Sequence, residues 1–142
     1  MKLQRLFGAM LLSAFVLTAN PASARDPLAT MLSGESMTKG KKLERAIEKA
    51  SEHPFGSAKN PVRAAMPTGQ RAYLSRLRCA NGAAPTYFRG GSVGDSPYGN
   101  IMDVYNVDCG DAEPGSVEIF MDMYHKGHVE SAPVPGFTIM EP

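Results

Sequence analysis

The sequence has only two cysteines, Cys79 and Cys109, and they lie thirty residues apart. Without a C-x-x-C pair, the chain gives no support for a thiol oxidoreductase or for a zinc site built on paired cysteines. An even number of cysteines in an exported protein is typical of a disulfide. We therefore predict a Cys79–Cys109 bond, whose closed loop would stabilise the fold by about 3–4 kcal/mol.

Sequence motifs for phosphate binding and hydrolysis are also missing. The glycine-rich segment 89–100 lacks the G-x-x-x-x-G-K-[ST] order, so it does not predict a phosphate loop. Ser92 and Ser96 have no G-x-S-x-G setting, and the histidines do not form H-E-x-x-H. We expect no cofactor.

Charge of one sign is not in excess, since 15 Lys and Arg residues face 14 Asp and Glu residues. This balance names no partner, and it argues against nucleic acid. The distribution is uneven, however. Residues 25–89 hold twelve basic and five acidic side chains, whereas residues 90–142 hold nine acidic ones and a single basic one, Lys126. The two halves either pair within one fold or leave a basic face for an anion.

Only one long apolar run is present, at residues 6–19, and it is shorter than the ~20 residues that a membrane span needs. Lys2 and Arg5 precede it, and Ala22-Ser23-Ala24 follows it. This order predicts a secretory signal peptide at residues 1–24. The cleaved protein would then have no membrane span and would be periplasmic or secreted.

The remainder predicts a flexible leader at residues 25–37 and a single small α+β domain at residues 38–142. An apolar stripe at helical spacing predicts an N-terminal amphipathic helix within residues 38–52: Leu43, Ala46, Ile47 and Ala50. Residues 127–142 are expected to wrap the sheet as a tail that docks Phe137 and Ile139.

Four runs rich in Tyr, Val, Ile and Phe predict strands at residues 71–79, 85–93, 101–109 and 117–125. Turn residues separate them, and short gaps favour antiparallel pairing, so we predict a mostly antiparallel four-stranded sheet. In a simple meander the first and third runs would lie about 9–10 Å apart. A disulfide requires Cα atoms within about 7 Å. Either the sheet curls, which we favour, or the strand order is not a meander.

Three segments resemble a family of small exported bacterial proteins of uncharacterised function. They are NPVRAAMPTGQRAYLSRLRC (Asn60–Cys79), SPYGNIMDVYNVDC (Ser96–Cys109) and MDMYHKGHVE (Met121–Glu130). The resemblance covers roughly residues 53–139. It implies export but no activity, ligand or catalytic residue.

Two metal-binding hypotheses come from the last run. Met121, Met123, His125 and His128 are soft ligands that suit copper, although the two methionines also continue the apolar face of the strand. His125, His128 and Glu130, with Asp103 or Asp122, form the second set, which would suit zinc in a hydrolase. Exposed histidines at a strand end are the simpler interpretation of that set.

A row of arginines and tyrosines predicts a contact surface for a protein or an anionic envelope component. Its members are Arg71, Arg76, Arg78, Arg89, Tyr73 and Tyr124. Ion pairing with later acidic residues such as Asp103 is the alternative role of the arginines. We therefore predict an exported, non-enzymatic binding module. Periplasmic copper handling is the second hypothesis, and a metal-dependent hydrolase is the third.

Overall fold

The computed structural model describes residues 26–142, and the predicted signal peptide lies outside them. The elements are, in order, α1 (Pro27–Leu32), α2 (Gly40–Ala50), β1 (Val62–Arg63), α3 (Met66–Arg76), β2 (Leu77–Arg78), β3 (Thr86–Asp95), β4 (Ile101–Asp108), β5 (Ser116–Asp122) and β6 (Thr138–Ile139). The described chain therefore combines helices and strands. None of the helices in this part of the chain has the length and apolar character needed to cross a bilayer.

Four strands form a mixed sheet in the order β1–β5–β4–β3. The β3–β4 and β4–β5 pairs are antiparallel, but β1 runs parallel to β5. The prediction of a mostly antiparallel sheet is therefore wrong. The physical reason is that β1 and β5 are not joined by a short turn. The whole of α3, β3 and β4 lies between them, which allows the long crossover that a parallel pair needs.

The first predicted strand, residues 71–79, is also wrong. It is the second half of α3 followed by the two-residue strand β2, which pairs with β6 in a separate sheet. Pro67 stands in the first turn, where proline is well tolerated. The buried side chains recur at helical rather than strand spacing, and they are Gln70, Tyr73, Leu74 and, just past the helix, Leu77.

The predicted Cys79–Cys109 disulfide is confirmed, with a Cα–Cα distance of 5.8 Å. Cys79 follows β2 and Cys109 follows β4. Because the first cysteine does not end a strand of the four-stranded sheet, the spacing conflict expected for a meander does not arise. The bond joins the segment after β2 to the end of β4, so it does not require the curled sheet that was predicted.

The hydrophobic core lies where α3, one face of the sheet and the C-terminal segment meet. Val134 and Phe137 of that segment are buried in it, and Ile139 pairs with Leu77 through β6, as the predicted tail required. The helices and strands contribute Val62, Tyr73, Leu74, Leu77, Tyr105, Val107, Ile119 and Met121 to the core, and Ala64 joins them from the segment between β1 and α3. Full burial of one such aliphatic side chain contributes about 1.5–3 kcal/mol.

The N-terminal part of the described chain lies against the polar end of the sheet. Helix α2 falls within the stretch where the apolar stripe predicted a helix, and Ala50 is its buried residue. In the segment predicted as a flexible leader, Asp26 caps α1. Ser36 is buried there and hydrogen-bonds to the β3–β4 turn. These contacts bring the start of α2 close to the end of β5.

Gly56 lies against the C-terminal segment. Its φ is +84°, and a Cβ there would lie 2.5 Å from Val134 Cγ1. Gly82 has nearly the same φ, +82°, but nothing lies within 4 Å of its Cβ position. We expect both Gly→Ala variants to have a free energy of unfolding about 1–2 kcal/mol lower than the parent protein, because alanine is strained in the left-handed backbone conformation. Gly56→Ala should lose a further 1–3 kcal/mol, approximately, to overpacking.

Urea unfolding of the two variants measures this difference. Gly82→Ala is the matched control because it carries the backbone strain without the steric contact. Equal unfolding free energies for the two variants would show that the segment around Val134 does not lie against Gly56.

Candidate functional site

A groove of about 520 Å³ opens between the start of α2 and the segment that follows β5. We call it the basic groove. Small-molecule sites commonly have volumes of roughly 300–1,000 Å³. Glu35 and Tyr124 line this groove together with the side chains that are cationic or can become so, namely Lys39, Arg63, Lys126, His125 and His128.

The carboxylate of Asp122 anchors the inner wall of the groove. Asp122 is the last residue of β5 and is fully buried. Its Oδ2 accepts hydrogen bonds from Ser96 Oγ and, at 2.9 Å, from Asn100 Nδ2. Its Oδ1 accepts the backbone N–H of Tyr124 at 3.0 Å. One side chain therefore holds the β3–β4 turn and the start of the next segment to the end of β5.

Asn100 extends this anchor to the N-terminal segment. Its Nδ2 also donates to Ser36 Oγ at 3.1 Å, and its Oδ1 accepts the backbone N–H of Met37 at 2.8 Å. The start of α2 follows three residues later. The buried amide thus fixes where that helix begins relative to the sheet.

His125 is one of the most enclosed residues of the groove, with 7 % of its surface exposed. Its Nε2 lies 3.5 Å from Asp122 Oδ2 but is not aligned for a hydrogen bond, so the attraction is electrostatic. The ring also packs edge-on against Tyr98, with centroids 5.2 Å apart. Neither ring nitrogen hydrogen-bonds to another residue within 26–142.

Asp122 is an anion in this setting. Burial raises the pKa of Asp122, but His125 and the hydrogen bonds from Ser96 and Asn100 outweigh burial and hold that pKa below its usual value. A buried carboxylate is stable only when such partners replace water. Asp122 therefore places a fixed negative charge beside the His125 ring.

A second cluster of charged and titratable side chains lies at the rim of the groove. His128 Nε2 lies 3.2 Å from Glu130 Oε2, and an Arg63 guanidinium nitrogen lies 3.7 Å from the same oxygen. Burial raises the pKa of Glu130, but His128, the Ala132 N–H and Arg63 lower it to about 2. Glu130 therefore stays ionised and lies between His128 and the Arg63 guanidinium at the rim.

Tyr73 and Arg76 of the predicted contact surface are occupied by contacts within the fold. Tyr73 is buried, and its hydroxyl donates to the Ala132 carbonyl at 3.0 Å. Arg76 donates to the carbonyls of Glu130 and Met140 and lies over the Tyr73 ring. These two residues hold the C-terminal segment against α3.

The other members of that surface are dispersed. Arg89 pairs with Asp103 at 2.7 Å, which is the alternative role predicted for these arginines. Arg78 donates to nearby backbone carbonyls, and Arg71 is exposed on α3. Tyr124 alone lies in the wall of the basic groove.

The four residues of the copper hypothesis lie in different surroundings. Met121 has no exposed surface and belongs to the hydrophobic core, and Met123 is partly buried. His125 and His128 line the groove, with ring centroids 6.5 Å apart. No group of three or more His, Cys, Asp or Glu side chains in residues 26–142 is arranged to hold a metal ion.

Several residues of the groove were not identified from the sequence as site residues. Lys39 and Lys126 belong to it, and Ser96 and Asn100 support its inner wall. The one available signal is the basic cluster K-G-K-K at the start of α2, because basic residues are unfavourable at a helix N-terminus. In the segment SPYGN, Ser96 and Asn100 are typical turn residues, so the sequence did not single them out.

Comparisons with known protein families, with curated proteins and with solved structures found no match to this chain. The resemblance to small exported bacterial proteins therefore stays a prediction.

Replacing Asp122 tests the anchor. Asp122→Ala leaves the Ser96, Asn100 and Tyr124 donors without their acceptor, so we expect a loss of about 3–5 kcal/mol in the free energy of unfolding. Asp108→Ala is the control. Asp108 is also on the sheet, but it is exposed and accepts from the Gly110 N–H as its side-chain bond.

Chemical denaturation of both variants gives the comparison. Asp108→Ala should stay within about 1 kcal/mol of the parent protein. Similar losses for Asp108→Ala and Asp122→Ala would contradict the anchor role of Asp122.

Acid should weaken the fold through Glu130. Because the pKa of Glu130 is about 2 in the folded protein and 4.5 in the reference state, its carboxylate stabilises the fold above pH 4.5. That contribution, on the order of 3 kcal/mol, is lost as the pH falls towards 2. Glu130→Gln should therefore flatten the decline of unfolding free energy below pH 4.5.

Urea unfolding at a series of pH values measures that decline. Glu52→Gln, which removes an exposed carboxyl just after α2, should follow the parent curve. The role of Glu130 is refuted if Glu130→Gln and the parent protein lose stability in parallel.

Proposed function

We propose that this protein is an exported, non-enzymatic binding module whose basic groove receives an anionic group of an envelope component. The excess of cationic side chains on the groove walls carries this proposal. Three permanent cations and two histidines line the groove, and Glu35 on its wall pairs with Lys39. The carboxylates of Asp122 and Glu130 do not line the groove, but they lie next to His125, Arg63 and His128. An anion bound there would meet charge-assisted donors from several directions.

Lys126 is the most available of these donors. Its side chain is exposed and makes no ion pair with another residue of the described chain. Arg63 lies deeper and is held at 3.7 Å by Glu130, so its guanidinium is oriented but not enclosed by that carboxylate. A planar guanidinium beside a mobile ammonium suits carboxylate or phosphate oxygens.

The start of α2 adds a second reason to expect an anion. Lys39 occupies the N-cap position without a side-chain capping bond, and the first turn contains no acidic residue. Lys41 and Lys42 stand in that turn, where the helix dipole already concentrates positive charge. A bound anion would offset this repulsion and accept from free backbone N–H groups.

The buried imidazole of His125 points to the same ligand class. It forms part of the groove wall, is 7 % exposed, and has no hydrogen bond within residues 26–142. Its Nε2 is enclosed beside Asp122, so an acidic oxygen would approach the part of the ring that lines the groove.

The enzymatic alternatives have less support. The His125–Asp122 pair has the form of an oriented base, but no hydroxyl or thiol of the described chain hydrogen-bonds to His125. A general base needs a partner group within reach. Met121 of the copper hypothesis is buried in the hydrophobic core. The hydrolase hypothesis has less support because no group of three His, Cys, Asp or Glu ligands is arranged for a metal in residues 26–142.

Export is part of the proposal and rests on the predicted signal peptide at residues 1–24. The Cys79–Cys109 disulfide supports it, because such bonds persist in oxidising compartments. A periplasmic or secreted protein would meet anionic lipids, glycans and acidic proteins of the envelope.

Titration with inorganic phosphate, followed by ¹H–¹⁵N NMR, tests the groove. We expect shifts confined to residues 36–43 and 124–128, and affinity that falls as salt is added. Lys39→Ala/Lys126→Ala should weaken binding at least tenfold, which corresponds to about 1.4 kcal/mol.

The matched control is Lys49→Ala/Lys59→Ala, which removes the same net charge from exposed positions outside the groove. It should bind phosphate as the parent protein does. Equal weakening by both double variants, or no binding by the parent, would refute the basic groove as an anion site.

A further inference from the structure

A second depression, of about 420 Å³, adjoins the basic groove. It lies between α3 and the segment after β5, and Arg63 and His128 belong to the walls of both. We call it the apolar depression, and its apolar lining residues are Ala64, Ala65, Ala72, Tyr73, Val129 and Pro142. Glu130, which pairs with Arg63 and His128, also lines it. The two cavities are thus neighbours across a ridge formed by the Arg63 and His128 side chains.

The floor of the apolar depression offers little for a polar ligand to bind. The Tyr73 hydroxyl is already saturated, since it donates to the Ala132 carbonyl and accepts the Val134 N–H. Ser75 Oγ donates to the Ala72 carbonyl. Because these polar groups are satisfied within the fold, the surface suits hydrocarbon better than peptide backbone.

Exposed apolar surface at the rim of the apolar depression also favours a hydrocarbon ligand. Val129 is 63 % exposed, although it stands directly beside His128 and Glu130. Arg76, the cation at the far side, is occupied by the carbonyls of Glu130 and Met140. The depression therefore presents apolar surface next to the cation-lined basic groove, in which Lys126 is exposed and makes no ion pair with another described residue.

We infer that the two cavities form one site for a monomeric amphiphile with an anionic head and a single hydrocarbon chain. The inference rests on the proposed function, because the head occupies the basic groove. The chain crosses the ridge at Arg63 and His128 and lies on the small side chains of α3. Charge complementarity selects the head, and burial of methylene groups supplies the additional affinity.

Isothermal titration of the full chain with acetate, octanoate and octanol, all below micelle-forming concentrations, tests this. We expect octanoate to bind at least tenfold more tightly than acetate, and octanol to bind at least tenfold more weakly than octanoate. Only a ligand with both parts gains from both cavities.

Val129→Asp separates the two halves of the site. It places a carboxylate in the apolar depression. The affinity for octanoate should therefore fall to that for acetate, while binding of inorganic phosphate is retained. Val93→Asp is the matched control, since Val93 is 42 % exposed on β3 and lines neither cavity. It should leave the tenfold gain intact.

The outcomes distinguish this inference from the proposed function. Equal affinity for acetate and octanoate, with phosphate still bound, overturns the amphiphile and leaves the anion site standing. Octanol binding as tightly as octanoate shows that the head is not recognised and also overturns it. Failure of phosphate, acetate and octanoate alike refutes the proposed function itself.

A membrane surface is the remaining competing source of such chemistry. Sedimentation with phosphatidylglycerol vesicles provides that arm of the test. Sedimentation of the protein with these vesicles, without binding of monomeric octanoate, would overturn the monomeric ligand.

Discussion

The buried carboxylate of Asp122 is the interaction on which the rest of the structure depends. A fully enclosed anion is costly unless its lone pairs have partners, and here the partners come from two parts of the chain, the β3–β4 turn and the segment after β5. Ser96 and Asn100 bring the β3–β4 turn, and Asn100 in turn brings Ser36 of the N-terminal segment. Breaking the set would leave several donors unsatisfied at once, so these segments are held together as a unit.

This requirement explains why the charged groove lies where it does. Because Asp122 and Asn100 hold the β3–β4 turn and the N-terminal segment at the end of β5, the start of α2 faces the segment that carries His125 and His128. The wall that results is rich in cations, and the apolar depression continues from it past Arg63. The proposed ligand chemistry thus follows from a structural constraint, since the group that stabilises the fold also orients the site.

Local sequence predicted the parts of the fold in which one face of an element is clearly apolar. Strands β4 and β5, and the helix after residue 38, fall where alternation or a helical stripe placed elements. The strand predicted at residues 71–79 was wrong because the arginines and leucines of this segment are compatible with helical or strand spacing. Tertiary packing of Tyr73, Leu74 and Leu77 selected the helix. The contact surface of arginines failed to assemble for a related reason. A cationic side chain shows no preference in sequence between a ligand and a carbonyl or carboxylate of its own chain, as Arg76 and Arg89 illustrate.

The sequence by itself determined the disulfide, the presence of both helices and strands, and the candidates His125 and His128. Pairing of two cysteines and periodic burial are local or countable properties, so they can be inferred from order alone. Only the tertiary structure decided that β1 is parallel to β5 and that Met121 belongs to the core. It alone brought Lys39, Arg63 and Lys126 to one groove. These residues are separated by up to 87 positions in the chain, and their meeting depends on long-range pairing and on one buried anion rather than on local propensity.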